Sequence, residues 1–180
     1  FDVSEKTLSA WVKLDNLKQR AGGVITLQTP NGVLFDSIVY AEKQPYIWMS
    51  GSNSFRRTEN FTLAPQEKQA DKVFVHLVIT YSREGKITGY RNGKPYGKPY
   101  QKSTFHFKPS DSVISFGVRH LPASPQRMLH GEIKLASLFD RELSSDEVKA
   151  LFDPVSHITP QEITKRFSAE GKEQFDKLSA

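Results

Sequence analysis

The alternation of apolar and polar side chains predicts β-strands in two long segments. In residues 7–14 every second side chain is apolar, from Leu8 to Leu14, and Trp11 lies on the other face. Residues 73–81 are dense in β-branched and aromatic side chains, and the alternation places His76 opposite the apolar face. Both segments therefore predict strands of a sheet that covers a hydrophobic core.

Turn-forming residues separate these strands from further ones. Ser82–Gly85 and Pro30–Gly32 are short turns that end in glycine, and Asn92-Gly93 is the strongest hairpin signal in the chain. Residues 94–100 contain two prolines, which predicts an edge or a loop. Additional strands are predicted at residues 23–29, 33–40, 46–49, 86–91, 104–108, 113–118 and 128–139. This spacing predicts an all-β protein, a two-sheet antiparallel β sandwich or jelly roll.

Two helix signals follow the last strand. Ser144 and Glu147 form a capping-box pattern, and Val148, Leu151 and Phe152 then share one helical face that can pack on the sandwich. A second helix is predicted to begin near Thr159. We therefore expect a sandwich domain over residues 1–153 and a linker with a helical tail over residues 154–180.

Two sequence blocks resemble a known family. Residues 90–97, YRNGKPYG, resemble the central hairpin of laminin G-like domains in the concanavalin A-like lectin/glucanase superfamily. Residues 131–152, GEIKLASLFDRELSSDEVKALF, resemble the closing strand and short helix of the same superfamily. WMSGSNSFRRT and FGVRH narrow the resemblance to the module found in planctomycete-type multidomain bacterial proteins that carry a c-type haem domain. The resemblance implies the sandwich fold. It does not imply one activity, because this fold hosts lectins, adhesion modules, glycosidases and spacers.

Composition limits the classes of function. The 180 residues are 37% hydrophobic, contain no cysteine and carry a net charge of +5. Cysteine chemistry and disulfides are thereby excluded, and the modest, dispersed positive charge argues against nucleic acid. No membrane span or signal peptide is visible, and the chain begins at Phe1 within a strand-like pattern. We expect an excised piece of a larger bacterial protein that is exported to the periplasm or the cell surface.

The sequence offers no catalytic constellation. Glycoside hydrolysis needs two carboxylates across a cleft, and Asp36 has only Glu42 nearby, at a spacing that predicts a separation of about 20 Å on an extended strand. The Glu-x-Asp-x-x-Glu run of related glucanases is absent, as is a Gly-x-Ser-x-Gly nucleophile motif. His76 is expected to be a satisfied histidine in the core or on a sheet face. We predict that the domain is not an enzyme.

A metal site is left open. The resemblance implies that calcium is possible, because many relatives bind one ion at the rim of the sandwich through oxygen ligands. The sequence does not place such a site, and Asp36, Asp111 and Asp140 are expected to serve turns.

A binding surface is the function that the sequence favours. Aromatic faces and arginine forks suit sugars, and loops at the ends of a sandwich are where such domains bind. The candidate ligand-binding residues are Arg56, Arg57, Arg91, Tyr96, Arg119 and His120, with Trp48 and Tyr100 as further aromatic candidates. Convergent arginines need either carboxylate partners, such as Glu59 or Glu84, or a bound anion. We predict a non-catalytic module that binds carbohydrate, including anionic polysaccharide; the alternative is a structural spacer that contacts neighbouring domains.

Overall fold

The computed structural model describes residues 3–153, which form two packed antiparallel β-sheets and one short helix. The larger sheet contains β1 (Lys6–Leu14), β5 (Val75–Tyr81), β6 (Lys86–Arg91), β7 (Lys94–Pro95), β8 (Tyr100–Gln101) and β10 (Gly131–Phe139). Its order is β10-β1-β5-β6-β7, and β8 also pairs with β6. The smaller sheet contains β2 (Gly22–Gln28), β3 (Phe35–Tyr40), β4 (Trp48–Ser52) and β9 (Val113–Phe116), in the order β4-β3-β2-β9. The predicted all-β sandwich is confirmed.

The core lies between the two sheets and follows the sequence alternation. Leu8 and Val12 of β1 and Leu77 of β5 belong to one buried cluster with Ile38 and Trp48 of the smaller sheet. Each of these side chains is at most 2% exposed, so the predicted apolar faces of β1 and β5 do form the core. Their burial is the main favourable contribution to folding.

The predicted strands at residues 46–49 and 104–108 differ from the observed structure. β4 continues to Ser52, into a stretch that the sequence assigns to a polar loop, because its hydroxyls find partners inside the protein. Ser50 Oγ donates to the Arg57 carbonyl at 3.0 Å, and Ser52 Oγ bonds Thr58 Oγ1 at 2.9 Å. Residues 104–108 form only an isolated bridge between Phe107 and Val3. The predicted strand there is wrong, since Phe105 and Phe107 pack on each other instead of extending a ladder.

The hairpins and the edge follow the turn chemistry. Asn92 and Gly93 have φ values of 52° and 70°, as the tight turn between β6 and β7 requires. The proline-containing segment forms the two-residue strands β7 and β8 beside β6, which agrees with its predicted place at an edge.

Helix α1 (Ser145–Phe152) covers part of the outer face of the larger sheet. Both hydrogen bonds of the predicted capping box are present between Ser144 and Glu147. Val148 is buried beside Val78 of β5, and the Phe152 ring stacks on Trp11 with centroids 5.6 Å apart. The predicted packing face of this helix is confirmed.

The remaining part of the predicted organisation concerns the C-terminal tail. The second predicted helix and the tail at residues 154–180 lie outside the described residues, so the domain boundary at residue 153 stays a prediction. Within residues 3–153, no helix has the length and the apolar character that crossing a membrane requires.

Candidate functional site

A long loop crosses the outer face of the smaller sheet. Residues 117–129 fold back on themselves through a bridge between Val118 and Met128, and the loop lies directly on the strands. A Cβ on Gly23 would come within 2.4 Å of the Val118 carbonyl oxygen, and one on Gly32 within 1.8 Å of the Leu121 carbonyl oxygen. Glycine is therefore needed at both positions for the loop to approach this closely.

Side-chain hydrogen bonds hold this loop in place. The Thr26 hydroxyl lies 3.1 Å from the Arg119 carbonyl oxygen, and the Leu121 amide donates to Gln28 Oε1 at 2.8 Å. Both anchoring residues belong to β2 and are completely buried. The loop is thus fixed to the sheet on the side facing away from the core.

The loop and two turns line an open pocket of about 430 Å³, which we call the outer-face pocket. Its walls are residues 31–33 of the β2–β3 turn, Phe35, Glu42, residues 53–55 after β4, residues 119–122 and Arg127. This volume lies within the usual range of small-molecule sites.

Aromatic rings and cations are layered around the pocket. The Arg119 guanidinium carbon lies 5.1 Å from the Phe35 ring centroid and 5.6 Å from that of Phe55. The His120 ring stacks on Phe35 at 4.7 Å, and Lys43 Nζ lies 5.3 Å from the Phe55 centroid. Such cation–π contacts fix the guanidinium against the pocket wall.

Phe55 is held in an unusual backbone conformation. Ser54 and Phe55 have φ values of 47° and 56°, in the left-handed region that non-glycine residues seldom occupy. Even so, the Phe55 side chain is 43% exposed. The turn therefore holds a partly exposed aromatic ring at the wall of the pocket.

The ion pair at the base of the pocket is only partly satisfied. Arg119 Nη2 lies 2.5 Å from Glu42 Oε1. Glu42 Oε2 and Arg119 Nε are buried without a hydrogen-bond partner among the described residues. Burial raises the pKa of Glu42 above its ordinary value, and the attraction of Arg119 offsets this only in part. Burial likewise lowers the pKa of Arg119.

His120 positions a second arginine. Its Nε2 lies 3.1 Å from Arg127 Nη1, and its Nδ1 lies 2.8 Å from the Leu121 carbonyl oxygen. A guanidinium has only donors, so Nε2 must accept and Nδ1–H must donate. His120 thus joins the loop backbone to the Arg127 side chain.

Three of the four candidate arginines form separate ion pairs with different carboxylates. Arg57 is 3% exposed and donates through Nε to Asp36 Oδ1 at 2.7 Å. Lys6 Nζ lies 2.9 Å from Asp36 Oδ2, an ion-pair contact that is not aligned as a hydrogen bond. The prediction that Asp36 serves a turn is wrong, because its carboxylate is the buried counter-charge of Lys6 and Arg57.

Arg91 and the tyrosines also have internal partners. Arg91 Nε donates to Glu67 Oε2 at 2.8 Å, and the Tyr96 hydroxyl, on a side chain 2% exposed, donates to the Pro65 carbonyl at 2.7 Å. Trp48 Nε1 donates to the same Glu67 carboxylate. The Tyr100 hydroxyl contacts Ser50 Oγ. These contacts hold loops against the sandwich.

Of the six candidates, the structure brings Arg119 and His120 together in the outer-face pocket. Arg56 is exposed on the turn that carries Phe55. The suggested partners Glu59 and Glu84 are engaged elsewhere: Glu59 pairs with Lys102, and Glu84 accepts from the Ser82 hydroxyl. Arg57, Arg91 and Arg119 each pair with a different carboxylate, whereas Arg56 makes no ion pair within residues 3–153.

Among the described residues that line the pocket there is no second carboxylate to act with Glu42. Glu42 is the acidic residue among its described lining residues. Asp36 points into the core from the opposite face of β3, so it cannot act with Glu42 on one substrate. His76 packs beside the rings of Trp11 and Phe152, away from the pocket, and burial lowers its pKa to about 4.

The oxygen atoms in the pocket do not fit calcium. Asn53 Oδ1 accepts from Arg57 Nη2 at 2.9 Å, and Glu42 is paired with Arg119. Asn31 Oδ1 accepts from the Thr29 hydroxyl and the Val33 amide. Across residues 3–153 no three His, Cys, Asp or Glu side chains are grouped as a metal site.

The sequence interpretation missed four pocket residues: Phe35, Glu42, Phe55 and Arg127. Phe55 did carry a signal, because it is the aromatic residue in the polar segment GSNSFRRTEN. No sequence signal marked Glu42 or Arg127. Glu42 is placed by its ion pair with Arg119, 77 residues away, and Arg127 is placed by His120 and the fold of the crossing loop.

The two antiparallel sheets and the short C-terminal helix define a concanavalin A-like β sandwich. Residues 1–149 match the sequence model of the family Laminin_G_3, described as the concanavalin A-like lectin/glucanases superfamily, and the chain belongs to this family. No curated protein gives a significant match.

Several solved structures share the fold at low sequence identity. Domain 4 of AbnA, an extracellular GH43 arabinanase of Geobacillus stearothermophilus solved with arabinotriose, is 16% identical, with a TM-score of 0.57 over 84% of this chain and 68% of that one. The CBM40 of the Ruminococcus gnavus IT-sialidase is 10% identical, with a TM-score of 0.56 and 84% coverage of both chains. A heptameric SAP-like pentraxin of Limulus polyphemus is 14% identical, with a TM-score of 0.54 over 84% of this chain and 71% of that one.

Proposed function

We propose that this chain is a non-catalytic carbohydrate-binding domain and that its ligand lies in the outer-face pocket. The observation that carries the proposal is Phe55, an exposed aromatic side chain at positive φ on the wall of a 430 Å³ cavity. Two of the similar structures are domains of carbohydrate-active proteins, one solved with arabinotriose and one from a sialidase, which supports the same class of ligand.

The chemistry of the pocket suits a sugar. The face of Phe55 offers an apolar surface for the C–H side of a sugar ring, while Asn31 and Arg127 offer exposed polar groups for hydroxyls. Because the loop is anchored to β2, Arg127 is positioned before the ligand arrives, which reduces the entropic cost of binding.

Isothermal titration calorimetry against a panel of neutral and acidic oligosaccharides tests the proposal. Phe55→Ala should weaken the binding of every ligand by about tenfold or more, because removal of an aromatic anchor costs on the order of 1–2 kcal/mol. Phe116→Ala is the matched control: Phe116 is 53% exposed on the edge strand β9 and does not line the pocket. Its affinity should equal that of the wild type.

Two other outcomes would contradict parts of the proposal. Loss of binding in Phe116→Ala but not in Phe55→Ala would move the saccharide from the outer-face pocket to β9, where Val113, Ile114 and Phe116 are exposed. No binding of any saccharide would favour a spacer or protein-interaction domain.

The absence of catalysis is also part of the proposal. It is supported by the single carboxylate among the described lining residues, since glycosidases use two. We further propose that the domain belongs to a larger exported bacterial protein of the planctomycete type. In that setting its partners are glycans or neighbouring domains.

A further inference from the structure

We infer that the ligand of the outer-face pocket is an acidic saccharide and that Arg127 binds its carboxylate or sulfate group. This inference rests on the proposed function and adds the chemical class of the ligand. It depends on the balance of charge around the pocket and on the position of Arg127.

Three cations surround the single pocket carboxylate. The pKa of Glu42 is raised by burial, and the positive charges of Arg119, Arg127 and Lys43 each oppose that rise. The charge of Arg119 is balanced by its ion pair with Glu42. Arg127 and Lys43 then remain as an excess of positive charge beside the cavity, since neither makes an ion pair within residues 3–153.

The two guanidiniums also disfavour each other. The charge of Arg127 contributes to the lowered pKa of Arg119, although burial of Arg119 is the larger cause. Like charges at close range are costly unless an anion lies near them. An acidic ligand would remove this repulsion, whereas a neutral sugar would leave it in place.

Arg127 is positioned for such a group. Its backbone carbonyl accepts from the Arg119 amide at 3.1 Å, and its own amide donates to the Ser124 carbonyl at 2.8 Å. Its Nη1 is directed by His120, and the side chain is exposed on the pocket wall. A guanidinium has five N–H donors, so one bond to His120 leaves a fork for an oxyanion.

The test compares matched acidic and neutral ligands by calorimetry. One pair is oligogalacturonate and its methyl ester, and a second pair is a sulfated galactan oligosaccharide and its desulfated form. Each acidic member should bind at least about tenfold more tightly than its neutral partner, as expected for hydrogen bonds to a charged group. Comparing the two pairs distinguishes a carboxylate from a sulfate.

Two variants assign the effect to Arg127. Arg127→Gln should remove most of the preference for the acidic ligands. Arg83→Gln changes the net charge equally but at an exposed residue that pairs with Glu5 and does not line the pocket, so it should retain the preference. The preference should also shrink as salt screens the charges.

The outcomes distinguish this inference from the function on which it rests. Equal affinity for the acidic and neutral members, with binding still lost in Phe55→Ala, would overturn the inference and leave the carbohydrate-binding function intact. Loss of the preference in both arginine variants alike would also overturn it. No binding of any saccharide would overturn both.

Discussion

Two glutamate–arginine pairs in this protein have opposite electrostatic character. Glu67 is 3% exposed and accepts six hydrogen bonds, from Arg91, Trp48 and the amides of Lys68, Gln69 and Ala70. Burial alone would raise the pKa of Glu67, but the bonds from Arg91, the Gln69 amide and Trp48 outweigh it, and the net pKa is lowered.

Glu42 and Arg119 form the contrasting pair. Glu42 has one guanidinium contact and an oxygen without a partner among the described residues, so burial prevails and its pKa is raised. An ion pair whose polar atoms all have hydrogen-bond partners fixes a loop to the core. An ion pair with unpartnered polar atoms leaves hydrogen-bonding groups beside the pocket. This difference is why we assign a structural role to Glu67–Arg91 and propose the ligand site beside Glu42–Arg119.

The largest expected effect is on stability. Glu67→Gln should lower the free energy of unfolding by about 3–5 kcal/mol, because it removes the charge that a largely buried arginine and several amides require. Glu42→Gln should change it by less than about 1 kcal/mol, since the raised pKa of Glu42 means that the folded state already disfavours its charged form. Urea denaturation of the three proteins at neutral pH measures both values, and equal losses would remove the distinction.

A smaller effect is expected in the dependence of stability on pH. The lowered pKa of Glu67 supplies stability above its ordinary value of 4.5, which is lost as the pH falls through its folded value. The raised pKa of Glu42 has the opposite effect on stability. In the folded protein Glu42 is protonated at a higher pH than in the unfolded chain, so stability is gained as the pH falls towards 4.5.

Denaturation from neutral pH into the acid range can separate these two contributions. Relative to the wild type, Glu42→Gln should lose stability more steeply above pH 4.5, and Glu67→Gln less steeply below it. His76 titrates in all three proteins, so its contribution cancels in the differences. If the two variants shift the curve in the same direction, our assignment of the two pairs is wrong.

The local features of the fold were predictable because they depend on neighbouring residues. Alternation specified the core faces of β1 and β5, and Asn92-Gly93 and Ser144–Glu147 specified a turn and a helix start.

Long-range pairing was not predictable from the sequence. Whether an arginine ends in the core, as Arg57 does, or beside a cavity, as Arg119 does, depends on carboxylates 21 and 77 residues away, respectively. No local pattern encodes those contacts, because the packing of the two sheets and the path of residues 117–129 bring them together. Phe55 shows the same limit: its exposure follows from a positive φ that the sequence did not indicate.

The position of the ligand tests the central claim most directly. Nuclear magnetic resonance spectra of the ¹⁵N-labelled protein can be recorded while the tightest-binding saccharide of the calorimetric panel is added. We expect saturable shifts at the amides of Val33, Phe55 and Arg127, which line the outer-face pocket, and unchanged signals for β9 and for the amides around Glu67. Shifts confined to β9, or none at concentrations that saturate binding in the calorimeter, would contradict the assignment of the site.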